Sequence, residues 1–298
     1  MSDPEVHLTE PAKLLLLASL LAKDGIISNN AKAFLKERIL RRDPEVMQLL
    51  EVFDGGDSVD IGFINRVNKL VDDSASRMHR ALFAKCPLEV SKALSKKERE
   101  DNDLLNEKSL IYGELANSFC LTSLLLLSAA SHHRGSTFYD LGSGSGKALF
   151  VARLWLDFGR CIGLEILKGL HEAALEVVES YNRNYREVLA SNQAQHVAVY
   201  CGSFLNHDWS DGTVVFANST CFDDDLMAKM GKKAELLQPG SYLVTFTKGI
   251  NSEKFQLLDK RRFKMSWGPA TVFCHRRLGE DGQPVDNSTF RWVGHWST

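Results

Sequence analysis

The segment Phe138-Tyr139-Asp140-Leu141-Gly142-Ser143-Gly144-Ser145-Gly146-Lys147 has the texture of a strand, a glycine-rich turn and the opening of a helix. Such a turn holds the charged part of a nucleotide-like ligand. A Walker-type phosphate loop needs Ser or Thr after Gly-Lys and a glycine five positions earlier, but Ala148 follows Gly146-Lys147 and Leu141 occupies that earlier position. A dinucleotide turn needs a third glycine where Lys147 stands, and it brings a pyrophosphate close to Asp140, whose charge repels it. S-adenosylmethionine suits these residues better, because its methionine end carries an ammonium and a sulfonium that a carboxylate attracts. A nicotinamide ligand and a purely structural glycine turn remain as alternatives.

Two further segments fit the methyl donor. Gly163-Leu164-Glu165 puts an acid at the carboxyl end of the next strand, where ribose hydroxyls can donate to it. Gly202-Ser203-Phe204 ends the strand after that and is suited to flank the adenine. Other chemistries find little. The six cysteines (Cys86, Cys120, Cys161, Cys201, Cys221, Cys274) include no CxxC pair and read as reduced, mostly buried thiols. His132 and His133 end a helix before a turn, and His171, His196 and His207 are scattered, so each reads as a solvated or capped histidine. Counting Gly25 as the glycine of a calcium loop puts Leu20, Ala22 and Ala31 at ligand positions, so no metal site is expected.

The elements that must position these residues change in character along the chain. Charged amphipathic stretches at Glu10 to Lys23, Asn29 to Leu40, Pro44 to Phe53 and Ser58 to Ala84 predict an N-terminal helical domain over residues 1–108. In the last stretch Ile61, Ile64, Asn68, Val71, Ala75, Met78 and Leu82 form one packing stripe, and Glu98-Arg99-Glu100-Asp101 reads as a solvated helix face. Residues 109–298 alternate apolar runs with helical segments. That texture predicts an α/β fold, a mostly parallel sheet with helices on both faces. Strands are expected at Thr137 to Leu141, Cys161 to Glu165, His196 to Cys201, Val214 to Ala217, Ser241 to Thr247 and Ala270 to His275. Helices are expected at Phe119 to Ala130, Lys147 to Phe158, Leu167 to Leu189, Asp223 to Leu237 and Glu253 to Asp259.

Residues 109 to 276 resemble the seven-strand lysine methyltransferases of the disruptor-of-telomeric-silencing type. The resemblance runs through Tyr112-Gly113-Glu114, Ser118-Phe119, Asp140 to Gly146, Gly163-Leu164-Glu165, Gly202-Ser203-Phe204 upstream of Asp208-Trp209, and Val215-Phe216-Ala217-Asn218 before Phe222. It implies a Rossmann-like seven-strand methyltransferase sheet with helices on both faces, and a protein-lysine methyltransferase acting on the globular face of a nucleosomal histone. Glu114, Asp140, Gly142, Ser143, Gly144, Gly146, Glu165, Ser203, Phe204 and Asn218 would hold S-adenosylmethionine, and Asn218 and Tyr112 would serve the reacting centre. Ser203 and Ser219 replace an aspartate and an asparagine of the family, and its channel tyrosine falls near Val272. Tyr112 is expected to wall the channel and Glu114 to hold the loop or the ammonium, with packing or capping as the plainer role of each.

The chain has 298 residues, 44% of them hydrophobic and 25% charged, which suffices for one large core or two modest ones and excludes disorder. A net charge of −2 leaves no global cationic field, so any nucleic-acid contact must be local. The densest basic stretch is Lys254 to Arg277, where seven cations oppose Asp259. Within it Lys260, Arg261, Arg262 and Lys264 are the expected DNA contact. No membrane partner is expected: the opening Met-Ser-Asp-Pro-Glu is acidic, and Leu14 to Leu21 is much shorter than a bilayer span. Reduced thiols lead us to expect an intracellular location, nuclear on the histone reading and otherwise cytoplasmic. A transferase for another protein or a small amine, and a cofactor-binding module without turnover, are the rival functions.

Overall fold

A computed structural model describes residues 75–76, 78–113, 136–155, 158–186, 196–265 and 268–285. The first three expected helices, most of the fourth, the helix at Phe119 to Ala130 and Glu114 lie outside the described residues. The chain divides into two compact units, Met1–Ala84 with Glu179–Gln195, and Lys85–Val178 with His196–Thr298. In the first, Ala75, Met78 and Leu82 of the predicted stripe are buried, and Tyr181 and Tyr185 approach at 6.5 Å. The second holds the sheet.

Seven strands build that sheet: β1 (Thr137–Leu141), β2 (Arg160–Glu165), β3 (His196–Cys201), β4 (Val214–Ala217), β5 (Tyr242–Phe246), β6 (Phe255–Met265) and β7 (Gly268–Arg277), in the order β3-β2-β1-β4-β5-β7-β6. The first five run parallel, and β7 pairs antiparallel with both β5 and β6. All five residues of β1 are buried, as a central strand covered on both faces requires. On one face Tyr139, Leu141, Ile162, Leu164, Val215 and Leu243 join Met227 and Met230 of helix α4 (Asp224–Ala234). On the other, Phe138 meets Phe158 at 5.4 Å and Phe216 at 6.4 Å. Helix α4 starts where the sequence expected it, its N-cap Asp223 accepting the Leu226 N–H at 2.8 Å. The order reverses at β1, which has β2 on one side and β4 on the other, so a crevice opens beyond the carboxyl ends of these strands.

Two sequence expectations need correction. Glu253 to Asp259 is not a helix; β6 begins at Phe255 and supplies the seventh strand. Seven residues are too few to form a helix unaided, and the hairpin partner β7 provides the ladder that decides the conformation, with a bulge between Leu257 and Asp259. Conversely, helix α1 (Leu88–Asp101) was marked in sequence only at its charged end. Its buried residues are Ser91 and Ser95, so no apolar stripe announces it. Helix α2 (Lys147–Trp155) ends before Phe158, and α3 (Lys168–Tyr181) runs into a π-helical turn, Asn182–Arg186.

The basic stretch is divided by the sheet. Arg277 is buried, donating to the Glu235 and Leu278 carbonyls and pairing with Glu280 at 2.8 Å, so it is a structural cation. Along β6 successive side chains alternate in face. Lys260, opposite Phe273 and over its ring, shares a face with Arg262, while Arg261 pairs with Asp259 at 2.7 Å. His275 is buried in β7 opposite Leu243, and burial pushes its pKa down to about 4. The folded state therefore takes up its proton later than the unfolded chain does. Stability is expected to fall by up to about 3 kcal/mol as pH drops from 6.5 towards 4. Urea unfolding of the wild type and His275→Gln at pH 7.5 and 5 checks this, the variant losing less.

Candidate active site

The crevice beyond β1 and β4 is a cavity of about 660 Å³. Asp140 and Gly142 from β1 and its turn, Glu165 from β2, Ser203 and Phe204 from the end of β3, and Asn218 from the end of β4 all line it. The glycine turn is tight: Gly142 and Ser143 donate to the Leu164 carbonyl at 2.8 and 3.1 Å, and Gly146 donates to the Ser143 carbonyl at 2.8 Å. Gly144 adopts φ +54°, and a Cβ there would overlap the Tyr112 ring at Cε2. The Tyr112 hydroxyl lies 3.0 Å from Ser145 Oγ. Glycine at 144 is thus required both by backbone conformation and by the ring above it.

Two carboxylates, Asp140 and Glu165, line the same cavity. Glu165 accepts the Gly144 N–H at 2.7 Å on Oε2 and the Leu167 N–H at 2.8 Å on Oε1, clipping the glycine turn to the start of α3. Burial raises its pKa, and these backbone donors work in the other direction. Asp140 is 2% exposed, with Oδ2 buried and lacking any hydrogen-bond partner. Burial first and the Glu165 charge second push its pKa up to about 8, against a Leu149 backbone donor. A buried unpartnered carboxylate oxygen is costly and calls for a donor, ideally a cationic one. Ser143 Oγ, also on the cavity wall, is buried without a partner too. These orphaned oxygens fit the ammonium end of S-adenosylmethionine.

The apolar wall is aromatic, Phe204 stacking on Phe222 at 5.7 Å, with Phe204 fixed by the Trp209 indole N–H donating to its carbonyl at 2.9 Å. The Ser203 hydroxyl accepts the Leu205 N–H at 3.2 Å, closing the turn. Asn218 donates from Nδ2 to the Gly113 carbonyl at 2.9 Å, and its Oδ1 accepts the Thr220 hydroxyl at 3.0 Å. The amide therefore ties the Tyr112-Gly113 segment to the end of β4. Thr220 lies 3.4 Å from the hydroxyl of Thr247, a β-branched residue at φ 66°, a strained conformation of the kind found near functional sites. Val272, where the family's channel tyrosine was expected to fall, lies in the sheet between Phe246 and Arg261 and is not on the cavity wall. The alternation of β7 turns the Val272 side chain into the core. Ile166, 49% exposed on the cavity wall, has no signal in its sequence context, and the bond of Ser145 to Ser91 is visible only in the folded chain. Among the described residues no group of His, Cys, Asp and Glu could hold a metal ion, and no helix is long and apolar enough to cross a membrane.

A sheet of this order, with a glycine turn after β1, acids ending β1 and β2 and a cavity at the switch point, defines a class I methyltransferase that uses S-adenosylmethionine. Residues 93–266 match the model of the family described as histone methylation protein DOT1, and the chain belongs to that family. Solved structures with a similar arrangement include an RNA methyltransferase from Salinibacter ruber in complex with S-adenosyl-L-homocysteine (20% identity over 58% of this chain and 97% of that one, TM-score 0.38). TrmN from Thermus thermophilus is similar at 17% identity over 57% of this chain and 52% of that one, TM-score 0.44. An O-methyltransferase from Bacillus cereus is similar at 13% identity over 62% and 91%, TM-score 0.41. No curated protein matches the chain significantly.

Proposed function

We propose that the protein methylates a lysine on the globular face of a nucleosomal histone, in the nucleus. The observation that carries the reading is the DOT1 family match over a chain whose cavity wall includes Asn218, a polar group without charge. When bound, S-adenosylmethionine supplies an electrophilic methyl group. Asp140 and Ser143 would bind its ammonium end, Glu165 would receive the ribose hydroxyls, and Phe204 with Phe222 would flank the adenine. A lysine amine, ordinarily protonated with a pKa of about 10.4, must enter neutral. The apolar Phe222 and Leu226 on the wall would favour the neutral form by offering it a less polar surrounding than water. Asn218 is held from both sides, so its contribution is alignment rather than proton transfer.

Labelled methyl donor offered separately to nucleosomes, free histones and cell extract tests the substrate. Label on nucleosomes supports the proposal; label only on other proteins in extract replaces it with the rival transferase reading. In the same assay Asn218→Ala is expected to lower turnover by about 100-fold while cofactor affinity changes less than about threefold. Equal losses in both would make Asn218 a binding residue.

The cations of β6, Lys260, Arg261, Arg262 and Lys264, would touch nucleosomal DNA. Lys260→Glu with Arg262→Glu is expected to reduce nucleosome methylation and to lower its salt slope by about 2, with free-histone methylation unchanged. Arg261→Glu is expected to do less, because Arg261 is engaged by Asp259. Equal methylation by all three proteins would make the strand a plain solvated edge.

A further inference from the structure

We infer that Glu98, on helix α1 and off the cavity wall, is a positioning residue that sets the ribose-binding geometry of Glu165. The inference rests on the reading of Glu165 as the ribose acceptor. Glu98 Oε1 accepts the N–H of Lys168 at 2.7 Å and Oε2 accepts the N–H of Gly169 at 2.7 Å, so one carboxylate takes the first two donors of the fourteen-residue helix α3. The preceding N–H, that of Leu167, goes to Glu165. Three consecutive backbone donors are therefore divided between two carboxylates, and the loop joining Glu165 to α3 cannot shift without breaking one of these bonds. Donors at a helix start carry partial positive charge, and bonds from them to a carboxylate are among the stronger ones.

Glu98 is itself anchored. Ser95 Oγ donates to the Leu110 carbonyl at 3.2 Å and Ser91 Oγ donates to Ser145 Oγ of the glycine turn at 3.3 Å, so α1 is tied to elements that form the cavity. Gly169 fits the arrangement from the other side. A Cβ there would come within 3.3 Å of Glu98 Oε2 and 3.9 Å of Leu94, so any side chain presses on the carboxylate. A glycine near the start of a helix is otherwise a loss, since alanine is the better helix former.

Calorimetry on the full chain tests the inference with S-adenosylhomocysteine and its 2′,3′-dideoxyribose analogue. Neither ligand carries a sulfonium, so loss of the Glu98 charge is not read directly as lost attraction for that group. The wild type is expected to bind the analogue at least about tenfold more weakly, as lost hydrogen bonds to a charged acceptor require. In Glu98→Gln, which keeps the shape but replaces one acceptor by a donor facing an N–H, affinity for S-adenosylhomocysteine is expected to fall about tenfold and that for the analogue less than threefold. Gly169→Ala is expected to show the same selective loss while α3 keeps its helicity. Equal loss for both ligands in both variants, or no loss in either, overturns the role of Glu98. A wild type that does not distinguish the two ligands overturns instead the ribose role of Glu165, and this inference with it.

Discussion

Asp140→Asn is expected to bind S-adenosylhomocysteine about 10- to 150-fold more weakly than the wild type and yet, without ligand, to melt at a higher temperature near pH 8. Both effects come from one buried carboxylate. Its pKa in the folded protein is about 8, against an ordinary 3.8. Between these values the folded state holds a proton that the unfolded chain has released, so the wild type loses stability as pH rises through that window. Asparagine cannot ionise. The melting-temperature gap should therefore be small near pH 4, widen to about pH 8 and then level off. Binding runs the opposite way, because the ligand's ammonium favours the ionised form: wild-type affinity should rise with pH up to about 8, and the variant's should be flat across that window. Unchanged affinity in a folded Asp140→Asn protein, or equal melting at every pH, would remove Asp140 from the ammonium site.

Gly144→Ala is the substitution expected to damage the cavity most. At φ +54° any L-residue costs about 1–2 kcal/mol, and here the new Cβ also falls within the Tyr112 ring. Either the ring or the turn must move. Moving the ring breaks its contact with Ser145, and moving the turn breaks the Gly144 donor to Glu165. Cofactor affinity is expected to fall by at least about 30-fold, the sum of one lost charge-assisted bond and the strain. Tyr112→Phe, which keeps the ring, should change affinity less than about threefold. Because the clash is between two named groups, Tyr112→Ala should recover part of the affinity in the Gly144→Ala background, a non-additivity measurable by calorimetry on the four proteins. Wild-type affinity in Gly144→Ala would show that the turn accommodates a side chain.

The likeness to the methyl-donor enzymes was legible at Asp140 to Gly146, Glu165, Gly202 to Phe204 and Asn218 because their chemistry is local. A positive-φ turn demands glycine where it occurs, and an acid at the end of an apolar run sits at the edge of a sheet whatever lies beside it. The buried parallel strands were equally legible, being short continuous apolar runs. Helix α1 is legible only at its charged end because serines, rather than an apolar stripe, are its buried residues. The start of β6 reads as a helix in sequence because its conformation is fixed by pairing with β7 across the hairpin, a ladder that Glu253 to Asp259 do not announce by themselves.

By itself, then, the sequence determined six of the seven strands, the glycine loop and the two acids, since backbone conformation and burial pattern there depend on neighbouring residues. Only the tertiary structure decided which partner each polar group takes: Glu98 reaching 70 residues along the chain to the start of α3, Asn218 clasping Gly113, Arg277 withdrawn from the basic stretch into the interior, and Val272 turned into the core. Those choices depend on register and on which elements the sheet order brings side by side, and a one-residue shift in register exchanges the faces of every side chain on a strand.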